Sequence, residues 1–457
     1  MKKEHLKHLY YRIGFGLSPQ EVDILSKKTK EEVVDNLFKT SKKSTPINLN
    51  LTFFTNIKSS DLKERSVKLE FQRKSKQKVK DFGIEWFNRL KNPSEILREK
   101  MTLFWTNHFV CQSNNIMFIQ KYNNLLRDYA LGDFREFTKA VSKEAAMIQY
   151  LNNNQNKKDS PNENFARELM ELFTLGNGNY SEKDITESAR AFTGYANNFY
   201  GEFTLRKKHH DSGRKSFFNK KGAFNGDDII DIILQQKQSA RYISEKIYRY
   251  FVNENINQNH IDLMTNIFYD DFDIEKLMRF VLLSDWFYDD VNLGEKIKSP
   301  MEVLIGIDKV VPYKILKKNQ AIVIQRLLGQ ILMDPPNVGG WKTGRNWIDS
   351  NTLMTRLRLP SILLNQEQIT YSDLGNEEAL LSDIESRILS KKAIIKTKAN
   401  WNAFETTYGH LSKEELIQFL IPIKLNTRSR EMLLNNKEIP LKDFCVQLMS
   451  LPEYQLC

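Results

Sequence analysis

Apolar residues recur along most of this chain at helical spacing. Leu6, Leu9, Tyr10 and Ile13 share one helical face, which Gly14-Phe15-Gly16 brings to an end. Ser18-Pro19-Gln20-Glu21 reads as a new helix start, with Pro at the first helical position and Glu closing a capping box. Residues 40–60 are polar and irregular and read as a loop. Residues 81–90 and 94–110 read as helices, and 125–150 as helical with a break at Gly132-Asp133. A loop over 152–160 precedes two helices, 161–175 and 182–193, joined by GNGNYS. Helical periodicity returns over 227–235, 240–251, 261–270, 274–283 and 300–311. Apart from an irregular stretch over 335–347, it continues to the end.

Residues 202–226 break the pattern. Phe203, Leu205, Phe217 and Phe218 flank His209-His210-Asp211-Ser212-Gly213, and Asp-Ser-Gly between strand-like runs predicts a β-hairpin. The predicted class is all-α, a large multi-helix globular protein with one small hairpin excursion near 202–226. No repeat of 20–50 residues supports a solenoid. The predicted organisation is a helical core over 1–360, holding a basic segment at 58–80 and a polar site segment at 94–226. A C-terminal helical segment over 361–457 packs on that core.

Composition narrows the class. Of 457 residues, 40% are hydrophobic, enough for a real core, so global disorder is excluded. Only 19 Gly and 12 Pro fit a helical protein. Cys111, Cys445 and Cys457 match no zinc ribbon or disulfide framework. No run of 18 or more apolar residues exists, which argues against a transmembrane helix. The opening MKKEHLKHLYYRIGFGLS has charges but no apolar core of a secretory signal, so a cytoplasmic location is the default expectation. The net charge of +11 is compatible with nucleic acid, an anionic membrane or an acidic substrate as partner, and equally with a solvated helix face in a Lys-rich chain. Its densest block, 58–80, has nine Lys/Arg but Phe71 as its sole aromatic, so no platform for stacking bases is visible.

Candidate chemistry concentrates in 94–226. His108 falls among Leu97, Met101, Phe104 and Trp105 on one helical face, where an imidazole needs a hydrogen-bond partner or must stay neutral. In PNENFARELMELFTL, Ser160-Pro161-Asn162-Glu163 reads as a capping box, which makes Glu163 structural. Glu168 lies between Leu172 and Leu175 at the edge of the apolar face, and Glu171 just outside it. Carboxylates three residues apart project together, and must repel, share a proton or cation, or pair with an Arg such as Arg167 or Arg190. Ser181 with Asp184 reads as another cap, and Glu187 sits at the edge of that helix's apolar face. His108, Glu168, Glu171, Glu187, His210 and Asp211 form a candidate catalytic set for acid–base chemistry. His108, Glu168, Glu171 and His210 are the candidate ligands if a divalent metal is the cofactor. No HExxH, P-loop, GxGxxG or GxSxG motif is present.

The same stretches carry a resemblance. HLYYRIGFGLS, REKMTLFWTNHFV, LRDYALGDFREF, PNENFARELMELFTLGNGNYSEKDITESARAFTGY, HHDSGRKSF, KSPMEVLIG, LGQILMDPPNVGGWKTGRNWIDSNTLMTRLRL and SLPEYQLC resemble the bacterial family called domain of unknown function 1800. The resemblance covers nearly the whole chain and brings no settled activity with it. Many relatives carry His where this chain has Phe173, and many begin with an export signal. Relatives often sit beside domain of unknown function 1501, which resembles phosphatases and sulfatases and carries an export signal. The resemblance thus implies a partner of that class, and export as a folded passenger with it.

Three functions follow as expectations. The first is a binding or partner protein working with an exported phosphatase/sulfatase-like protein of the 1501 family. The second is a metal- or carboxylate-dependent hydrolase-like enzyme, with its site at His108, Glu168, Glu171, Glu187 and His210. The third is nucleic-acid binding through 58–80, which requires those charges on one face.

Overall fold

A computed structural model describes residues 1–367, 395–435 and 438–457. Parts of the C-terminal segment expected over 361–457 therefore lie outside the described residues. The described chain is predominantly helical, and three two-stranded antiparallel sheets are its strand structure. One hydrophobic cluster runs from Leu6 to Tyr454. No helix among the described residues is long and apolar enough to cross a membrane.

The sequence-predicted helices form with modest shifts. Lys3–Ile13 buries Leu6, Leu9, Tyr10 and Ile13, and the Ser18–Glu21 capping box is made in full. The helix predicted over 81–90 is the end of a longer one, Arg65–Lys91, which also carries most of the basic segment. The expected loop at 40–60 contains a short helix, Thr52–Asn56. A capping box at Ser160–Glu163 does not form. The helix starts at Asn164, and Glu163 instead accepts from Thr186 Oγ1 at 2.7 Å and pairs with Arg167 at 3.5 Å.

The single hairpin expected near 202–226 is two hairpins. Tyr195–Asn197 pairs with Phe203–Leu205, and Lys215–Phe217 pairs with Lys220–Gly222. The second turns through Phe218 and Asn219, both at positive φ (43° and 63°), as a two-residue hairpin turn requires. His209–Gly213 is the connector between the hairpins, not a turn within one. The expectation of helix to the end also missed a ribbon joining Tyr313–Ile315 to Thr397–Ala399.

The helix Ile96–His108 sits at the centre, packed against Lys3–Ile13, Lys30–Ser41, Arg65–Lys91 and Ile116–Asp128. It buries three consecutive charges, which a 100° step per residue sends to different sides. Arg98 donates to the carbonyls of Ser41, Lys42, Arg127 and Asp128. Glu99 accepts from Arg127 Nε at 2.7 Å and from the Trp86 indole at 2.9 Å. Lys100 donates to Gly14 O at 3.0 Å and to Glu302 Oε1 at 2.5 Å.

Glu302 is itself the third residue of a capped helix, Pro300–Val310. Its Oε2 accepts from the Ser299 N–H, and its Oε1 takes both Lys100 and Lys296, the latter at 2.6 Å. Burial favours the neutral acid here, but the two ammonium groups prevail and hold the carboxyl well below its usual range. Burial also pushes Lys100 down to about 8, with Glu302 opposing the shift.

Glu302→Gln should therefore destabilise the fold by about 3–5 kcal/mol at pH 7, because two cations lose their shared carboxylate. Urea denaturation measures this, and a loss below ~1 kcal/mol would contradict the assignment. The folded pKa is depressed, so the stabilisation is present above the ordinary glutamate value of 4.5 and fades as the pH falls below it.

Candidate ligand-binding cleft

The sequence-selected residues fall into three separate groups. In the first, Arg190 clamps Glu187 and Asp211, donating at 2.9 Å and 2.8 Å. Glu187 also accepts from Ser216 N at 2.6 Å, and Asp211 from Gly213 N at 2.7 Å. Burial works against the Asp211 charge, but Arg190 and the Gly213 N–H win and lower its pKa. His210 Nδ1 donates to Thr193 O at 2.8 Å. These contacts fasten the hairpins to the Glu182–Ala191 helix. In the second group, Glu171 accepts from the Tyr180 hydroxyl at 2.9 Å. Burial, and then the Glu171 charge, raise the pKa of Glu168. Among the described residues, no cluster of three or more His, Cys, Asp or Glu side chains is placed to hold a metal ion.

His108 makes the third group, and local backbone geometry explains it. Leu169–Thr174 is a π-helix, with Leu175 N donating five residues back to Met170 O at 2.9 Å. Near its end, the carbonyls of Leu172 and Phe173 are met by side chains. Tyr242 Oη and Lys246 Nζ donate to Leu172 O, each at 3.0 Å, and His108 Nε2 lies 3.0 Å from Phe173 O. A carbonyl only accepts, so Nε2 carries the proton and Nδ1 is left with its lone pair. Lys246 Nζ lies 3.4 Å from that Nδ1. Burial, reinforced by the Lys246 charge, holds His108 neutral, its pKa well below 6.5.

His108 and Lys246 also line a cleft of about 320 Å³. Phe104, Tyr250, Trp341 and Trp347 give it aromatic walls, and Arg249, Lys296 and Lys342 add positive charge. Glu302, already committed to two lysines, and Glu254 are its carboxylates. Burial depresses Lys246 to about 8, with no neighbouring carboxylate among the described residues to offset it. The indole N–H of Trp341 is buried without an acceptor among the described residues.

The glycine-rich segment is folded onto this wall by Asn107. Its Oδ1 accepts from Trp341 N at 2.7 Å, and its Nδ2 donates to Trp341 O at 3.4 Å. Gly340, at φ +85°, permits that approach, since a Cβ there would press on Asn107 and Val110. Sequence reasoning found His108 but missed Lys246, Trp341 and Trp347. The available signal was two tryptophans beside a Gly-Gly pair in an irregular stretch; nothing local marks Lys246.

Comparison with known proteins gives one result. The family described as Protein of unknown function (DUF1800) matches residues 8–456, nearly the whole chain. No curated protein and no solved structure matches it.

Glu168 has no ion pair to lose among the described residues, and its neighbour Glu171 repels it. Glu168→Gln should therefore stabilise the fold slightly, by about 0.2–0.5 kcal/mol at pH 7. Chemical denaturation tests this, and a loss of several kcal/mol would reveal a buried cation partner instead.

Proposed function

We propose that this chain, which belongs to the DUF1800 family, is a binding protein whose cleft takes a small organic anion with a flat apolar body. The supporting observation is a lysine at the cleft wall that the protein leaves without a carboxylate partner among the described residues. Lys246 meets Leu172 O and His108 Nδ1 but has no carboxylate within ion-pair distance among the described residues. Trp341 Nε1–H has no acceptor at all among them. An unsatisfied buried donor costs about 1–3 kcal/mol, more for a charged one, and an oxyanion supplies what is missing. The aromatic walls suit an apolar body, and the volume suits a metabolite-sized ligand.

The family resemblance adds the expected protein partner, an exported phosphatase/sulfatase-like member of the 1501 family. Co-purification from native cells tests that association. The carboxylate-enzyme alternative has the raised Glu168 pKa as its support. The nucleic-acid alternative has the exposed cations of the basic segment, but Phe71 is buried and offers no stacking face there.

Titration with phenylacetate at pH 7, followed by tryptophan fluorescence, tests the cleft. Phenylacetate should bind, and the neutral amide phenylacetamide should bind at least about tenfold more weakly. A charge-assisted hydrogen bond is worth about 1.5–3 kcal/mol, so Lys246→Met should weaken phenylacetate by about tenfold or more. Lys246 loses its proton as the pH rises through about 8, so affinity should fall between pH 7 and 9. Equal binding of acid and amide would contradict the reading.

A further inference from the structure

We propose that Lys246 is the amine of an imine-forming site, and that the ligand is an apolar or aromatic 2-oxo acid held there through a reversible C=N bond; this rests on the anion-binding reading above. Three features of the cleft point to it. First, among the described residues Lys246 is free of the ion pairing that occupies its neighbours. Lys100 and Lys296 are both bound to Glu302, whereas Lys246 is held by the carbonyl of Leu172 and the imidazole of His108. A lysine locked to a carboxylate is a poor nucleophile; one desolvated beside a neutral base is a good one.

Second, His108 is fixed in the tautomer that can serve this amine. Its Nε2–H is committed to Phe173 O, and its Nδ1 lone pair lies 3.4 Å from Lys246 Nζ. Packing against Trp105, Phe109 and Phe173 sets the ring orientation. Third, the cleft carries cations that could receive the carboxylate of an oxo acid while its keto carbon faces the amine. Arg249 spends Nη1 on the Glu254 carbonyl at 2.6 Å, and has no carboxylate within ion-pair distance among the described residues. Burial holds Lys246 near 8, so an appreciable fraction is neutral amine close to neutral pH.

The chemistry balances without another reagent. The Lys246 nitrogen lone pair forms a bond to the keto carbon, and the C=O π pair moves to oxygen. A nitrogen proton passes to His108 Nδ1 and then to that oxygen, giving a carbinolamine. The hydroxyl leaves as water with a further proton from nitrogen, and the C=N bond forms. One water is released per ligand, and nothing is oxidised or reduced.

Phenylpyruvate with sodium cyanoborohydride tests the proposal, because reduction makes an imine permanent. Intact-mass and peptide mass spectrometry should show one adduct, mapped to Lys246 and suppressed by excess phenylacetate. Lys246→Arg keeps the charge but not the nucleophile. It should lose the adduct. No adduct at Lys246, with phenylpyruvate and phenylacetate binding alike, would overturn the imine while leaving anion binding intact. Adducts spread over many lysines, unaffected by phenylacetate, would also overturn it. Failure of phenylacetate to bind the wild-type protein would instead remove the reading beneath it. The competition arm uses the wild-type chain alone, so a variant that folds poorly does not decide the result.

Discussion

Burying Arg98, Glu99 and Lys100 in succession on one central helix forces the surrounding chain to answer three charges on three sides. Arg98 gathers backbone carbonyls from two other segments, Glu99 gathers Arg127 and Trp86, and Lys100 reaches Glu302 some two hundred residues away. Each contact is costly to break once made, because the partner left behind stays buried. The distribution of charge in the cleft follows from this. Lys100 and Lys296 both claim one Glu302 oxygen while the Ser299 N–H claims the other. Lys246, on the same cleft, has no such partner among the described residues.

A second constraint places Lys246 there. The π-helix Leu169–Thr174 widens the backbone, and side chains from two other helices close over its last carbonyls. His108 and Lys246 meet because they serve adjacent carbonyls. The same contacts that satisfy the carbonyls of the π-helix therefore set a neutral imidazole beside a desolvated amine at the edge of a cavity. Structure and chemistry share these atoms, which links the inferred ligand site to the stability of the segment beneath it.

Much of the fold was legible because it is local. The apolar stripe of Leu6, Leu9, Tyr10 and Ile13 and the boxes at Ser18 and Ser181 depend on residues within a turn or two. Glu163 shows where local reasoning fails. Its sequence context is that of a cap, but Thr186 and Arg167 offered its carboxylate other partners. The hairpins failed similarly. The Asp211 carboxylate in Asp-Ser-Gly is engaged by Arg190 from a preceding helix, so the tripeptide connects two ribbons and turns neither. His108 was visible as an imidazole on an apolar face. Its neighbours were not, since Lys246, Trp341 and Glu302 come from three distant segments whose meeting is a tertiary event.

If the cleft accepts an anion, one can be located there directly. Crystals soaked in sodium bromide at pH 7 allow bromide to be found by anomalous scattering. A bromide peak should appear inside the cleft against the Lys246 ammonium, and should be lost in Lys246→Met crystals. Bromide confined to the outer surface, with no peak in the cleft, would contradict anion binding there.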